Sequence, residues 1–206
     1  MEGELRIVNP SDEELVECVQ RGEREQFLEL YRRHHRRIEA YARRQLRNSE
    51  AARDIASETF LQAFKSVDRF RTDKRISYLG YLFLLCRRLV INETKRLAAS
   101  PVVSQVANEQ QALEDLPDSA PLSISLMLDA ERRQAVREAL AQLGDEDREV
   151  ICLAFEQELS RSDIMQILEK PSVAAVRSHL YRALGRLRSI MLRQGYFTPV
   201  GTDEHE

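Results

Sequence analysis

The sequence predicts an all-α fold, with two small helical domains joined by a flexible linker. The second is a four-helix domain that ends in a helix-turn-helix. Three observations carry this. Apolar residues recur at threes and fours along most of the 206 residues, and no stretch alternates as a strand would. Only seven Gly and six Pro are available to break helices. Between residues 98 and 127 the periodicity lapses, and "AASPVVSQVANEQQALEDLPDSAPLSIS" brings three Pro together with small polar residues.

The elements follow in order. Ser11-Asp12-Glu13-Glu14 has the S-x-x-E form of a capping box, and Leu15, Val16 and Val19 give the first helix one apolar face up to Gly22. A long helix is expected from Glu23 to Leu46, striped by Phe27, Leu30, Tyr31, Ile38, Tyr41, Ala42 and Leu46. Asn48-Ser49 breaks it and caps a third helix, Glu50 to Val67, which buries Ile55, Phe60, Leu61 and Phe64, with Ala52, Ala56 and Ala63 filling in. Asp68 to Ser77, "DRFRTDKRIS", reads as a polar, basic loop. "YLGYLFLLCRRLVINETKRL", Tyr78 to Leu97, is apolar almost all round at its start and is expected at the centre of its domain. After the linker come helices over 129–142, 146–157, 161–169 and 172–192, with Gly144-Asp145 separating the first two and Ser160 and Ser172 as N-caps of the last two. The expected domains are therefore 1–97 and 128–195, the acidic linker spans 98–127, and a loose tail covers 196–206.

Composition narrows the function. Hydrophobic content of 43% supports real cores, and no apolar run approaches the roughly 20 residues that span a bilayer. The start, MEGELRIVNP, lacks a signal-peptide core, so a cytoplasmic location is expected. Cys18, Cys86 and Cys152 are far apart and form no CxxC pair, so they read as plain buried or half-buried thiols rather than a disulfide or zinc framework. No Gly-rich phosphate loop, nucleophile elbow or Ser/His/Asp arrangement is present, so neither catalytic residues, metal nor cofactor is implied, and the chain does not read as an enzyme. His34 and His35 sit in "RRHHRR"; adjacent helical side chains point about 100° apart, which disfavours a shared metal, and both read as partly exposed surface residues. Glu146-Asp147 reads as a helix-start charge pair that suits the dipole.

Net charge is −3, but the average hides three basic blocks: residues 21–48 carry +5, 65–97 carry +6 and 161–193 carry +5. The intervening blocks are acidic, with −9 over 98–160. Fields reach only about 10 Å at moderate salt, so the basic blocks attract phosphate locally.

Two segments fit nucleic acid. In the helix-turn-helix, Ile164, Ile167 and Leu168 line one face of the first helix, and Val173, Val176, Leu180, Leu184, Leu187 and Met191 stripe the second. The opposite face of the second shows Ala174, Ala175, Arg177, Ser178, Tyr181 and Arg182. Small residues let a helix sit deep in a groove, Arg177 can take guanine bidentately, and Arg182, Arg186 and Arg188 reach phosphates. His179, alone on this helix, reads as a backbone phosphate contact; a basic hairpin that merely caps a bundle is the bland alternative. In the first domain, Phe70, Tyr78 and Tyr81 offer stacking faces beside Arg69, Arg71, Lys74 and Arg75, while Arg87, Arg88, Lys95 and Arg96 hold the backbone. The alternative is that Tyr78 and Tyr81 are core aromatics.

The two halves together resemble the extracytoplasmic-function group of bacterial sigma factors in the sigma-70 family. In the first half the resemblance rests on "DEELVECVQRGEREQFLELYRRHHRRI", "DIASETFLQAFKSVDRFR" and "YLGYLFLLCRRLVINETKRL", and in the second on "ALAQLGDEDREVICLAFEQELSRSDIMQIL" and "VRSHLYRALGRLR". It implies a promoter-specificity subunit that binds the RNA polymerase core. The helix Ala174–Arg186 would read the −35 element, and the segment from Asp68 into the following helix would read and help open the −10 element. Asp54, Ile55, Glu58, Phe60 and Leu61 would dock on the polymerase clamp, the surface of the largest subunit, and the acidic linker would thread toward the active-site channel. An anti-sigma factor is an implied regulator.

The sequence departs from the family pattern in places. Arg53 stands where an acid is expected. Phosphorylation of Ser49, Ser57 or Thr59 by a Ser/Thr kinase would restore negative charge there. Glu169-Lys170-Pro171-Ser172 lacks the usual turn glycine and runs one residue longer, Met165 replaces a common alanine, Tyr81 a common Trp and Leu79 a common Arg. Two other readings compete: a stand-alone helix-turn-helix regulator with an N-terminal sensing or dimerisation bundle, which would bind duplex DNA without polymerase, and a helical phosphotransfer protein using His34 or His35, which would carry an acid-labile phosphoryl group.

Overall fold

The computed structural model describes residues 10–46, 48–71, 76–99 and 124–196, with side chains in the first helix of the second half described from residue 133. Among these, every regular element is helical. The chain divides into two compact units, one holding the first four α-helices and the other the last four.

In the first unit α1 spans Asp12–Gln20 and α2 Phe27–Leu46. The capping box forms: Glu14 N–H donates to Ser11 Oγ at 3.2 Å and Ser11 N–H to Glu14 Oε2 at 2.7 Å. Leu15, Val16 and Val19 are buried as the stripe predicts. Gly22 takes φ +105°, a conformation that side chains disfavour, so the chain turns and passes through a 3₁₀ turn, Arg24–Gln26, before α2 begins. That turn is why α2 starts later than the expected Glu23. Its buried face is Leu30, His34, Ile38, Tyr41 and Ala42.

Helix α3 spans Ser49–Ser66 and α4 Tyr78–Ala99. Asn48 Oδ1 accepts from the Glu50 and Ala51 N–H groups and caps α3. The deepest face of α3 is made by Ala52, Ala56 and Ala63 with Thr59 and Phe60, whereas Ile55 and Phe64 are half-buried and Leu61 is 45% exposed. The small residues thus carry the core contact that the periodicity assigns to the larger ones. Phe60 and Phe64 pack around Phe27 and Tyr31 of α2, with ring centroids 4.9 to 6.4 Å apart. Helix α4 buries Tyr78, Gly80, Leu82, Phe83, Cys86 and Val90, and Phe83 meets Tyr41 edge-to-face at 5.3 Å.

In the second unit α5 spans Ile124–Ala141, α6 Asp145–Ile151, α7 Arg161–Ile167 and α8 Val173–Arg193. Helix α5 begins inside the stretch expected as linker, and the rest of that linker from residue 100 to 123 lies outside the described residues, as does the tail beyond Tyr196. Arg148 closes the end of α5: its guanidinium donates to the carbonyls of Leu140 (3.0 Å), Ala141 (3.3 Å) and Leu143 (2.7 Å). The helix expected over 146–157 is α6 followed by a π turn, Cys152–Glu156. Ser160 and Ser172 cap α7 and α8 as expected. Glu158 and Glu169, on either side of α7, adopt φ of 48° and 51°, left-handed positions where glycine is the usual occupant.

None of the three cysteines is in a disulfide; Cys86 and Cys152 are buried and Cys18 half-buried. Burial pushes the Cys86 thiol up to about 12, against a smaller lowering influence of the Thr59 side chain.

Candidate nucleic-acid interface

The two segments singled out for nucleic acid are built differently. Helix α8 packs by Val176, Leu180, Ala183, Ile190 and Met191, all buried. Its other side leaves Ala174, Arg177, Ser178, Tyr181, Arg182, Arg186 and Arg188 exposed, with Ala175 half-buried. Tyr181 is 82% exposed, more than any other exposed large apolar or aromatic side chain among the described residues. A cationic face opened by two alanines and carrying a bare aromatic ring is what a major-groove helix needs: backbone approach, guanidinium donors and an apolar contact.

His179 is placed otherwise than expected. It is 8% exposed, and its Nε2 lies 3.0 Å from Asp147 Oδ1 of α6. A phosphate contact is not available to it there. Arg186 donates to the other oxygen of the same carboxylate. Burial raises the Asp147 pKa, but the hydrogen bonds and charges of Arg186 and His179 outweigh it and hold the group below the usual carboxylate value. Asp147 is therefore more than a helix-start charge. It ties α6 to two points of α8 and fixes the azimuth at which the exposed face is shown. Its signal in the sequence is only an acid at the start of a helix; the partners lie 32 and 39 residues away.

In the first unit α3 runs on into a 3₁₀ turn, Val67–Arg69. Phe70 is half-buried against two tyrosines: its ring centroid lies 5.4 Å from Tyr78 and 5.1 Å from Tyr81. Tyr81 is half-buried, and its hydroxyl is 2.8 Å from that of Ser66. Tyr78 is fully buried, its hydroxyl has no partner among the described residues, and burial raises its pKa well above the ordinary phenol value. As a stacking face Tyr78 is thus corrected to a core aromatic, one that backs Phe70 and Tyr81. Arg69, Arg71, Arg88, Lys95 and Arg96 are exposed and Arg87 is half-buried. Arg96 is held by Glu93 at 2.7 and 2.8 Å. Lys74 and Arg75 lie outside the described residues.

On α3, Asp54 is exposed, Ile55 and Glu58 are half-buried and Leu61 is exposed. Phe60, expected on the same docking surface, is 3% exposed and supports that surface from beneath. Leu28 of α2, 50% exposed, is an apolar surface residue that the periodicity does not single out. Ser49 and Ser57 are exposed. Thr59 is fully buried and its hydroxyl donates to Ile55 O at 2.7 Å, so a kinase has no access to it.

His34 is likewise buried, 6% exposed, with Nε2 2.6 Å from Asp12 Oδ2. Its position in the stripe between Leu30 and Ile38 explains this; the flanking arginines mask it. Arg33 reaches the other Asp12 oxygen at 3.1 Å. Burial raises the Asp12 pKa, but His34 and Arg33 more than offset it and the group lies below its ordinary value. His35 is half-buried over Tyr31 and Phe60 and lies 3.8 Å from Glu39. His34 therefore offers no open phosphoacceptor. Among the described residues no group of His, Cys, Asp and Glu is arranged for a metal, and no helix is long and apolar enough to cross a membrane.

Two family models match this chain: Sigma-70 region 2 over residues 30–99 and Sigma-70 region 4 over residues 139–189, together more than half of it. It is 27% identical over 186 residues to the RNA polymerase sigma-H factor of Pseudomonas aeruginosa, covering 86% of this chain and 92% of that protein. It is 29% identical over 185 residues to the ECF RNA polymerase sigma factor SigM of Mycobacterium tuberculosis, covering 87% of each. Its fold is similar to the sigma factor RpoE solved in complex with the anti-sigma factor NepR from Bartonella quintana, with a TM-score of 0.62 at 18% identity over 82% of this chain and 98% of that one. It is also similar to CnrH solved in complex with the cytosolic domain of CnrY, with a TM-score of 0.60 at 20% identity over 88% and 97%.

Proposed function

Since the chain belongs to the sigma-70 family, in its extracytoplasmic-function group, we propose that its two units share the work of promoter recognition. Helices α1–α4 hold the polymerase and the opened −10 element, and α5–α8 read the −35 element as duplex. The chain is an RNA polymerase sigma factor: it binds the core enzyme, directs it to promoters and takes part in opening them. It is a transcription initiation factor, and the proposed role needs no catalytic group, because opening a duplex breaks no covalent bond. Its site of action is the cytoplasm, where polymerase and promoters are.

On α8, Arg177 is the proposed base reader, and Ala174, Ala175, Ser178 and Tyr181 shape the groove contact. Arg182, Arg186 and Arg188 take phosphates. In the first unit Phe70 and Tyr81 offer rings to unpaired bases, Tyr78 backs them, and Arg69, Arg71, Arg87, Arg88, Lys95 and Arg96 meet the backbone, with Lys74 and Arg75 proposed by sequence. Stacking is worth about 1–3 kcal/mol per base, comparable to what a base step loses when it opens. Asp54, Ile55, Glu58 and Leu61 form the proposed clamp surface. An anti-sigma factor is the proposed regulator, since a protein with the same fold is held by one.

The observation that carries this reading is the joint match to both sigma-70 regions, in order, on a chain whose α8 leaves a cationic face bare. Run-off transcription from randomised promoter DNA with purified core enzyme tests it: transcripts that depend on the chain are expected, and none are expected with Arg177→Ala combined with Tyr181→Ala. Tight, core-independent binding to duplex DNA as a dimer would instead favour a stand-alone regulator.

A further inference from the structure

Helix α1 precedes the first family match, which starts at residue 30. It nevertheless reaches both ends of the segment that carries Phe70. The side-chain amide of Gln20, the last residue of α1, donates from Nε2 to two carbonyls, Val67 O and Phe70 O, each at 2.7 Å. Val67 O also accepts from Phe70 N–H at 3.0 Å, so the amide locks a turn that the backbone has already closed. At the other end of α1, Glu13 Oε1 accepts from Tyr78 N–H at 3.2 Å. That is one of the first N–H groups of α4, which have no partner within the helix. Ser77 Oγ takes the N–H of Gly80 at 3.0 Å, completing the cap. Helix α1 is itself fixed, because the adjacent Asp12 is gripped by Arg33 and His34 of α2. A further tie, Arg24 to Asp68 at 3.3 Å, lies just beyond it.

We infer that Gln20 and Glu13 are positioning residues for promoter opening: α1 braces the entry and exit of the Phe70 segment, so that its rings are set before an unpaired base arrives. The inference rests on the proposed role of Phe70 and Tyr81 and deepens it. Neither residue touches DNA. A preset ring face spares the ordering cost that a loose turn would incur on capture, which is the general advantage of preorganisation. Gln20 suits this position because a primary amide supplies two donors from one nitrogen, one for each carbonyl. Glutamate has the same shape and, ionised, supplies none.

The test uses the full chain assembled with core polymerase. A promoter is first selected from randomised duplex DNA by run-off transcription with the wild-type holoenzyme. It is then made fully duplex, as a fork with a single-stranded non-template overhang, and as a duplex that carries the −35 element alone. Gln20→Glu and Glu13→Leu are expected to lower fork affinity about five- to tenfold, the effect of losing one or two hydrogen bonds. Affinity for core, and holoenzyme affinity for a duplex that carries the −35 element alone, are expected to stay unchanged. Glu13→Gln keeps an acceptor oxygen and is expected to retain fork binding. Gln20→Met removes the donors without adding charge, and replaces Gln20→Glu as the test if that variant melts early.

Unchanged fork affinity in Gln20→Met and Glu13→Leu would overturn the brace, and so would a parallel loss of core, −35 duplex and fork binding. A wild-type holoenzyme that binds fork no better than full duplex would overturn the role of Phe70 and Tyr81 themselves, and the brace with it. The two failures are therefore distinguishable.

Discussion

The Phe70 segment and helix α8, both proposed to meet DNA, have opposite constructions. Helix α8 is a rod with a buried side and a bare side: Arg177, Ser178 and Tyr181 stand in solvent, while Val176, Leu180 and Ala183 hold the helix down. Around Phe70 the rings that would serve DNA are also the rings that pack, since Phe70 touches Tyr78 and Tyr81, and Tyr78 is wholly buried. A duplex is read from outside, so recognition and stability can occupy different faces. An unpaired base must be enclosed, so there they share residues. Substitutions should therefore separate the two properties on α8 and couple them near Phe70.

The strongest test of that contrast is Tyr78→Ala. Removing a fully buried aromatic is expected to cost about 3–5 kcal/mol and to abolish promoter opening by loosening the whole first unit, read as a lowered calorimetric transition. Tyr78→Phe sharpens it: the buried hydroxyl has no partner among the described residues, so its removal is expected to leave stability equal or higher. Asp147→Ala tests the one place where α8 resembles its counterpart, because the His179 ring would lose its only hydrogen bond among the described residues; a loss of about 1–3 kcal/mol is expected, with weakened −35 binding.

The same site has a pH signature. The Asp147 pKa is depressed in the folded chain from an ordinary value of 3.8, so its contribution is complete above that value and is lost as pH falls through the lower folded one. Asp12 behaves likewise in the first unit. Asp147→Asn should flatten the acid limb of the second unit's stability profile and leave that of the first; an unchanged acid limb in the second unit would contradict the role given to Asp147.

Arg177→Ala is expected to lower −35 affinity by about 1–3 kcal/mol, with stability changed by no more than about 0.5 kcal/mol. A lowered melting temperature would contradict the separation of faces on α8. Ser57→Glu, on the exposed side of α3, is expected to raise core affinity by less than about 1 kcal/mol, as a surface charge would. No gain there or in Ser49→Glu removes the idea that phosphorylation compensates for Arg53.

How much of this was legible in the sequence follows from the range of the interactions. Caps are local, so Ser11, Asn48, Ser160 and Ser172 announced the starts of their helices. The bare face of α8 was legible because the helical period separates Val176 and Leu180 from Arg177 and Tyr181. Burial of His34 and His179 was not, since their partners Asp12 and Asp147 lie far along the chain and the neighbouring arginines suggested solvent. The π turn also escaped, because it is closed by Gln157 N–H to Cys152 O and by Leu159 N–H to Leu153 O, contacts that periodicity does not encode. The grip of Gln20 on Val67 and Phe70 spans 47 and 50 residues and left no local mark.

Arg148 has a mechanical consequence. One guanidinium welds the final carbonyls of α5 to the body of α6, so that corner is no hinge: bending it would break several hydrogen bonds at once. Asp147, the neighbour of Arg148 on α6, holds His179 and Arg186 of α8, so two adjacent side chains of one short helix fasten it to the helix before it and to the helix that carries Arg177.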